Sequence, residues 1–551
     1  MDNVLAKKEN ANTTQLTRSN TRSPAAGSRR PLGFKGVATP QVPRPSAADI
    51  QAAAQHFGMH LDADAQQDYL AAVGRTLKAY DAVERLYDEV AHPPVPERSY
   101  RFPDPGANPL GAWYVTTEIT SGADGPLSGR AVAVKDNIAV AGVPMMNGSR
   151  AVEGFIPRRD ATVVERLLAA GATIAGKSVC EDLCCSGSSF TSASGPVRNP
   201  WDTSRETGGS SSGCGAVVAA GDVDLAVGGD QGGSIRIPAA LCGIVGHKPT
   251  FGLVPYTGAF PVERTVDHLG PMTRTVADAA LLLTVLAGPD GLDPRQPAQI
   301  AAVDYRAALT GDVAGLRVGI LTEGFGHPRS LPQVDELIRS AAQRFTEIGC
   351  SVGEISVPWH RYSGDVWDVI NADGTTYQML DGNGYGLGVE GFYDPELIAH
   401  FARQRSAKAD QLAGSVKAMA LCGHYSLNTL GGVSYAKART LVPHLRAAYD
   451  AALAQYDVLV MPTVPGAAAA LPAGSPQDVA LLAHTLGKGS NTAATDLTGH
   501  PAISVPAGLV DGLPTGMMIV GKRFDDATVL KVADAFESLC GGFPAAPNPA
   551  T

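Results

Sequence analysis

No run of about 18 consecutive apolar residues occurs in this 551-residue chain, so the sequence offers no membrane-spanning helix. Charge is sparse, with Asp, Glu, Lys and Arg at 18% against 44% hydrophobic residues. That balance excludes a disordered chain and leaves enough apolar material for a sizeable core. Basic charge is lacking outside the first 45 residues. Residues 1–45 hold eight Lys/Arg against two Asp/Glu, and the remainder holds 36 against 52, within a net charge of −10. An acidic body argues against a nucleic-acid partner. The basic segment 1–45 reads as a solvated, disordered tail. Its Arg29-Arg30 pair resembles a twin-arginine export signal, but Gly36 to Pro45 is polar and Pro-rich where an apolar stretch should follow. Cysteine is scarce too. The eight present lack disulfide-framework spacing, so reduced thiols and a cytoplasmic location are expected.

Two further absences narrow the chemistry. There is no G-x-S-x-G elbow, so an α/β-hydrolase arrangement is unsupported. Cys180-Glu-Asp-Leu-Cys184-Cys185 has no second cluster to complete a zinc site, so these read as small, buried, unreactive cysteines and no metal is expected. A third pattern misleads. Gly171-Ala-Thr-Ile-Ala-Gly176-Lys177-Ser178 fits the phosphate-binding loop formula letter for letter. That loop needs a strand before it and a helix after it. Here a helix precedes Gly171 and 172–175 is itself a strand, so the glycines mark a helix end and a strand end.

The elements place the rest. Ser46 caps a short helix closed by Gly58. A longer amphipathic helix follows, with Leu70, Val73, Leu77, Tyr80, Val83, Leu86 and Val90 at three- and four-residue spacing. Residues 46–97 thus form a helical appendage that packs on the body or on another subunit. From about residue 110, strands and helices alternate. Strands are expected at 131–134, 316–321 and 458–461. Helices are expected at 160–170, capped at Asp160, and at 275–287, opened by Thr275 with Asp278 three residues on. This alternation implies an α/β fold around a buried sheet. Residues 360–440 read as a mainly helical cap over the site, within a main domain spanning 98–551.

Glycine is what the chain has in excess: 62 residues, about 11%. The excess gathers in 208–243. Gly208-Gly209-Ser210-Ser211-Ser212-Gly213 leads into a helix, and Gly228-Gly229-Asp230-Gln231-Gly232-Gly233-Ser234-Ile235-Arg236 follows. Such loops serve as tight turns at strand ends. They also let backbone N–H groups approach a reacting carbonyl oxygen beside serines with little bulk around them. A serine nucleophile needs a base. His247, His268 and His500 are available, and so is Lys135 at a strand end, which acts as a base only if removed from water. The residues alone leave that choice open.

These segments, with Gly246-His-Lys-Pro-Thr250, resemble the signature of the amidase signature family. Lys135 lies in the Val-Lys-Asp context of that family's lysine, 75 residues before Ser210, which is 24 before Ser234. The resemblance spans about 110–540, with Asn491-Thr492, Gly499-His500-Pro501-Ala502 and Gly512–Gly516 in its C-terminal part. Asp381–Gly386 and Thr429–Tyr435 are similar to the bacterial enantioselective amidases associated with nitrile hydratases. The family pattern Gly-Gly-Ser-Ser-Gly-Gly is broken by Ser212, which leaves Ser211 as a rival to Ser210. The resemblance implies a central mixed sheet covered by helices on both faces, and hydrolysis of small aliphatic and aromatic primary amides to acid and ammonia. Ser234 would be the nucleophile, Ser210 the relay on a cis peptide bond, and Lys135 the base. Backbone N–H groups of Gln231, Gly232, Gly233 and Ser234 would form the oxyanion hole, with Asp230 and Arg236 as loop support. No cofactor is implied, and the appendage would make a homodimer in the cytoplasm. Alternatives with the same triad are an aryl acylamidase, a carbamate hydrolase or the glutaminase subunit of a transfer-RNA amidotransferase. An inactive binding protein is the alternative outside catalysis.

Overall fold

Short apolar runs bounded by glycine, proline and Asp become buried strands, and amphipathic runs between them become covering helices. The computed structural model describes residues 42–90, 93–301, 303–485 and 488–547. The basic tail therefore lies outside the described residues up to position 41. The chain divides into two compact units between His92 and Pro93.

The first unit contains two helices, Ala47–His56 and Ala63–Val90. Ser46 opens the first through a capping box with Asp49, as expected, and Gly58 follows its end at φ 69°. Along the longer helix, Leu70, Val73 and Leu77 are half-buried, whereas Tyr80, Val83 and Leu86 are 56%, 62% and 40% exposed. The second half of the expected apolar stripe is thus left uncovered within the unit.

The second unit is built on a twelve-stranded sheet. From edge to edge its strands are Tyr100–Arg101, Trp113–Ile119, Thr173–Ser178, Ala131–Lys135, Leu225–Asp230, His268–Thr273, Val245–Lys248, Ala502–Val510, Leu513–Gly521, Val458–Pro462, Arg317–Leu321 and Ser351–Ile355. The sheet is mixed. Ala131–Lys135 runs parallel to both its neighbours, as does Arg317–Leu321, and the central pairs are antiparallel. Side-chain alternation shows that both faces are covered. Val458, Val460, Met517 and Ile519 join one core cluster, while Leu459, Met461, Met518 and Val520 join another. The first face packs against helices that include Thr162–Ala169, Val276–Leu286, Pro332–Gln343 and Asp526–Leu539. The second packs against Ser363–Thr375 and Val433–Gln455. Residues 360–440 are mainly helical, adding Pro395–Ala407 and Gly414–Leu430.

Two local expectations meet different outcomes. Thr275 caps its helix by accepting from Asp278 N. Asp160 does not cap the next one. That helix starts at Thr162 after Ala161, because the Asp160 carboxylate is taken by Arg98 at 2.6 and 2.7 Å and by the Ala141 N–H at 2.8 Å. The segment that mimics a phosphate-binding loop follows the expected order, helix, Gly171 at φ 85°, then strand Thr173–Ser178. Its Lys177 is fully buried and paired with Asp136 at 2.8 Å.

Candidate active site

Three adjacent features of the sheet converge. Strand Ala131–Lys135 ends at Lys135, and its parallel neighbour Leu225–Asp230 ends where the second glycine-rich loop begins. The first glycine-rich loop enters helix Ser212–Ala220. Lys135 is fully buried, and its Nζ donates to Ser210 Oγ at 2.8 Å and to Gly229 O at 3.2 Å. Asp136, next in sequence, is engaged elsewhere. Its carboxylate pairs with Lys177 and accepts the N–H groups of Met146 and Asn147. No ion pair to Lys135 forms among the described residues. Lys135 Nζ therefore faces a hydroxyl and a carbonyl in a fully buried setting.

Ser210 follows a cis Gly209–Ser210 peptide bond, and its carbonyl accepts from Glu181 N. Gly209 admits no side chain, since a Cβ there would lie 2.1 Å from Ser188 O. Ser211, the rival, is bound to backbone instead. Its Oγ donates to Gly229 O at 3.0 Å and accepts the Gly229 N–H at 3.2 Å. Its own N–H donates to Ser234 O, which ties the two serine loops together. Ser234 is 8% exposed, whereas Ser210 is fully buried. Ser234 is thus the more accessible of the two.

The loop carrying Ser234 is fixed by one buried ion cluster. Asp230 accepts from Gly233 N at 2.5 Å and Ile235 N at 3.1 Å, and from Arg236 Nε at 2.9 Å. Arg236 reaches onward to Asp496 Oδ2 at 2.8 Å, Thr495 Oγ1 at 2.6 Å and Thr492 O at 3.0 Å. Burial pushes Asp230 up, but the Arg236 charge and hydrogen bonds outweigh it and hold the carboxyl well below the usual range. Burial and the Asp230 charge push Asp496 well up. The Gly233 N–H, expected among the oxyanion donors, is directed at Asp230. The N–H groups of Gln231, Gly232 and Ser234 have no acceptor among the described residues. Gly233 holds φ 134°, and a Cβ on it would come within 2.3 Å of Thr492 Oγ1.

The histidines are occupied away from Ser234. His247 meets Asp526 at 3.1 Å, His500 meets Asp450 at 3.0 Å, and His268 bonds to Val266 O and Lys248. Two neighbours escaped the sequence reading. Trp367, on helix Ser363–Thr375, donates to Gln231 O at 2.8 Å and crowds Gly232. Cys184 donates its thiol to Asn147 Oδ1 at 3.4 Å and lies close enough to Lys135 for that charge to lower its pKa. Neither carries a local signal, since both reach the site only through tertiary packing.

The model of the Amidase family matches residues 111–530. The chain is 55% identical to the enantioselective amidase of Rhodococcus rhodochrous over 512 residues, 92% of this chain and 98% of that enzyme. Among solved structures, a glutamyl-tRNA(Gln) amidotransferase subunit from Thermotoga maritima superposes with TM-score 0.66 at 31% identity, covering 80% of this chain and 91% of that one. The peptide amidase of Stenotrophomonas maltophilia gives 0.63 at 31%, covering 77% and 85%.

Removing charge from Asp230 should leave Arg236 short of a partner in a dry site. Asp230→Asn is expected to destabilise the protein by about 3–5 kcal/mol at pH 7, read from urea unfolding midpoints. A carboxyl held low in the folded state stabilises above its unfolded value of about 3.9 and loses that effect as pH falls below it. The gap between the two proteins should therefore hold steady down to about pH 4 and narrow below.

Proposed function

The chain belongs to the amidase signature family and is a hydrolase acting on amides, and we propose that it cleaves small aliphatic and aromatic primary amides to acid and ammonia through Ser234, Ser210 and Lys135. The observation that carries this reading is the 2.8 Å contact of Lys135 Nζ with Ser210 Oγ, both fully buried, beside a loop whose Ser234 carbonyl accepts the Ser211 N–H. Ser234 Oγ attacks the amide carbonyl carbon as its proton passes to Ser210 and the Ser210 proton passes to Lys135 in its amine form. The developing oxyanion is met by the N–H groups of Gln231, Gly232 and Ser234, and one such donor is worth about 10²–10³ in rate in a comparable site. Lys135 then returns the proton through Ser210 to the leaving nitrogen, which departs as ammonia. Water enters by the same relay and frees the acid from Ser234. Asp230 and Arg236 act by holding the loop.

The high identity to an enantioselective amidase supports discrimination between enantiomers of 2-substituted amides, such as those that nitrile hydration supplies. All eight cysteines are free, which suits the reducing cytoplasm. The uncovered stripe Tyr80, Val83 and Leu86 supports self-association of the helical unit into a homodimer.

Ammonia release from benzamide and from each enantiomer of 2-phenylpropionamide, beside matched anilides, tests the substrate class. Fast release from the primary amides with weak anilide cleavage is expected, and the reverse order would move the enzyme to the aryl acylamidases. Ser234→Ala should abolish turnover with the fold intact by circular dichroism. Lys135→Ala should lower kcat by about 10²–10⁴-fold, and a near-normal rate would return the base to a histidine. Light scattering should give twice the chain mass for the wild type and a lighter species for Val83→Glu.

A further inference from the structure

A second reactive group stands against the relay. The backbone at Leu183 and Cys184 takes φ values of 48° and 60°, the left-handed region that non-glycine residues seldom occupy. This turn carries the Cys184 thiol to Asn147, within the electrostatic reach of Cys180, Ser210 and Lys135. The two sulfurs share one acceptor, lying 3.5 and 3.4 Å from Asn147 Oδ1 for Cys180 and Cys184. Two thiols on a single oxygen are neighbours. Cys180 is fully buried, whereas Cys184 is 7% exposed, close to the 8% of Ser234, which must meet substrate. Cys185, by contrast, donates its thiol to Leu183 O.

We propose that Cys184 is a modification site for small peroxides, with Cys180 as the thiol that resolves the product into a disulfide. The first step transfers oxygen: the Cys184 thiolate displaces hydroxide from hydrogen peroxide and becomes a sulfenic acid, and the peroxide is reduced. In the second, the Cys180 sulfur attacks the Cys184 sulfur, the S–S bond forms, and the sulfenic oxygen leaves as water with the Cys180 proton. The environment favours the first step. Burial pushes the Cys184 thiol up, but hydrogen bonding from Cys180 and the Lys135 charge pull it down further, to about 6. Burial pushes the Cys180 thiol well up, which keeps a proton there for the leaving oxygen. Oxidation removes the negative charge that Cys184 would carry near Lys135 and alters the surroundings of Ser210 and Lys135. The consequence for turnover rests on the reading of those two residues as the relay.

The test uses full-length enzyme carrying Cys422→Ser, which removes the exposed thiol. The protein is treated with hydrogen peroxide, and one half is then reduced with dithiothreitol. Peptide mass mapping should show a Cys180–Cys184 bond as the loss of two hydrogens from the peptide holding both. Activity should fall about tenfold or more and return on reduction. Cys180→Ser should convert the loss into an irreversible one, with sulfinic acid at Cys184. Cys184→Ser should keep its own starting rate under peroxide. A wild-type map in which activity is lost without the Cys180–Cys184 bond, or a Cys184→Ser enzyme inactivated as fast as its parent, would overturn the proposal. If the bond forms and turnover persists, the modification site stands and the relay assignment of Lys135 and Ser210 falls.

Discussion

The buried guanidinium of Arg236 is the contact on which the arrangement around Ser234 depends. It lies at the start of the helix that follows the Ser234 loop and binds Asp230 at the loop's beginning, so both ends of the loop are anchored to one charge. The same group reaches Thr492, Thr495 and Asp496, more than 250 residues away. Two glycine-rich turns would otherwise be the softest part of the molecule. A delocalised, permanently charged fork with several donors suits this task in a way that lysine would not. With the fork in place, Asp230 can also hold the N–H groups of Gly233 and Ile235, and the remaining loop donors are left pointing elsewhere.

A related constraint governs Lys135. Its chain neighbour is Asp136, a carboxylate in an equally dry setting. The fold buries a second lysine beside it. Lys177, one strand over, pairs with Asp136, so that carboxylate is taken by another residue and Lys135 is left to Ser210 and Gly229 O. The segment that resembles a phosphate-binding loop by letter is therefore part of the electrostatics around Lys135. The thiol of Cys184 completes the immediate surroundings and gives them a redox chemistry distinct from amide hydrolysis.

Much of this was legible in the sequence because the signals are local. The strand ending in Lys135, the glycine runs, the Ser46 and Thr275 caps and the helix-then-strand order at Gly171 each rest on neighbouring residues. The family resemblance already implied loop support for Asp230 and Arg236. One reading failed where a distant partner intervened. Asp160 looks like a cap, but Arg98 and the Ala141 N–H take its carboxylate. The Gly233 N–H, expected among the oxyanion donors, is accepted by Asp230 three residues earlier. The left-handed turn at Leu183 and Cys184 has no signal in the Cys180–Cys185 segment.

The sequence by itself determined the α/β class, the family and the short set of candidate serines and bases, since those follow from short-range pattern, turn chemistry and fixed spacing. Only the tertiary structure separated Ser210 from Ser211, and Lys135 from the histidines. Hydroxyl and amine meet through contacts made 75 residues apart, and no local rule states which of two adjacent serines faces the buried lysine. It also decided which polar groups are free to act. That is a question of who else has claimed each donor and acceptor in a dry interior, and the answer lies in strands and helices distant along the chain.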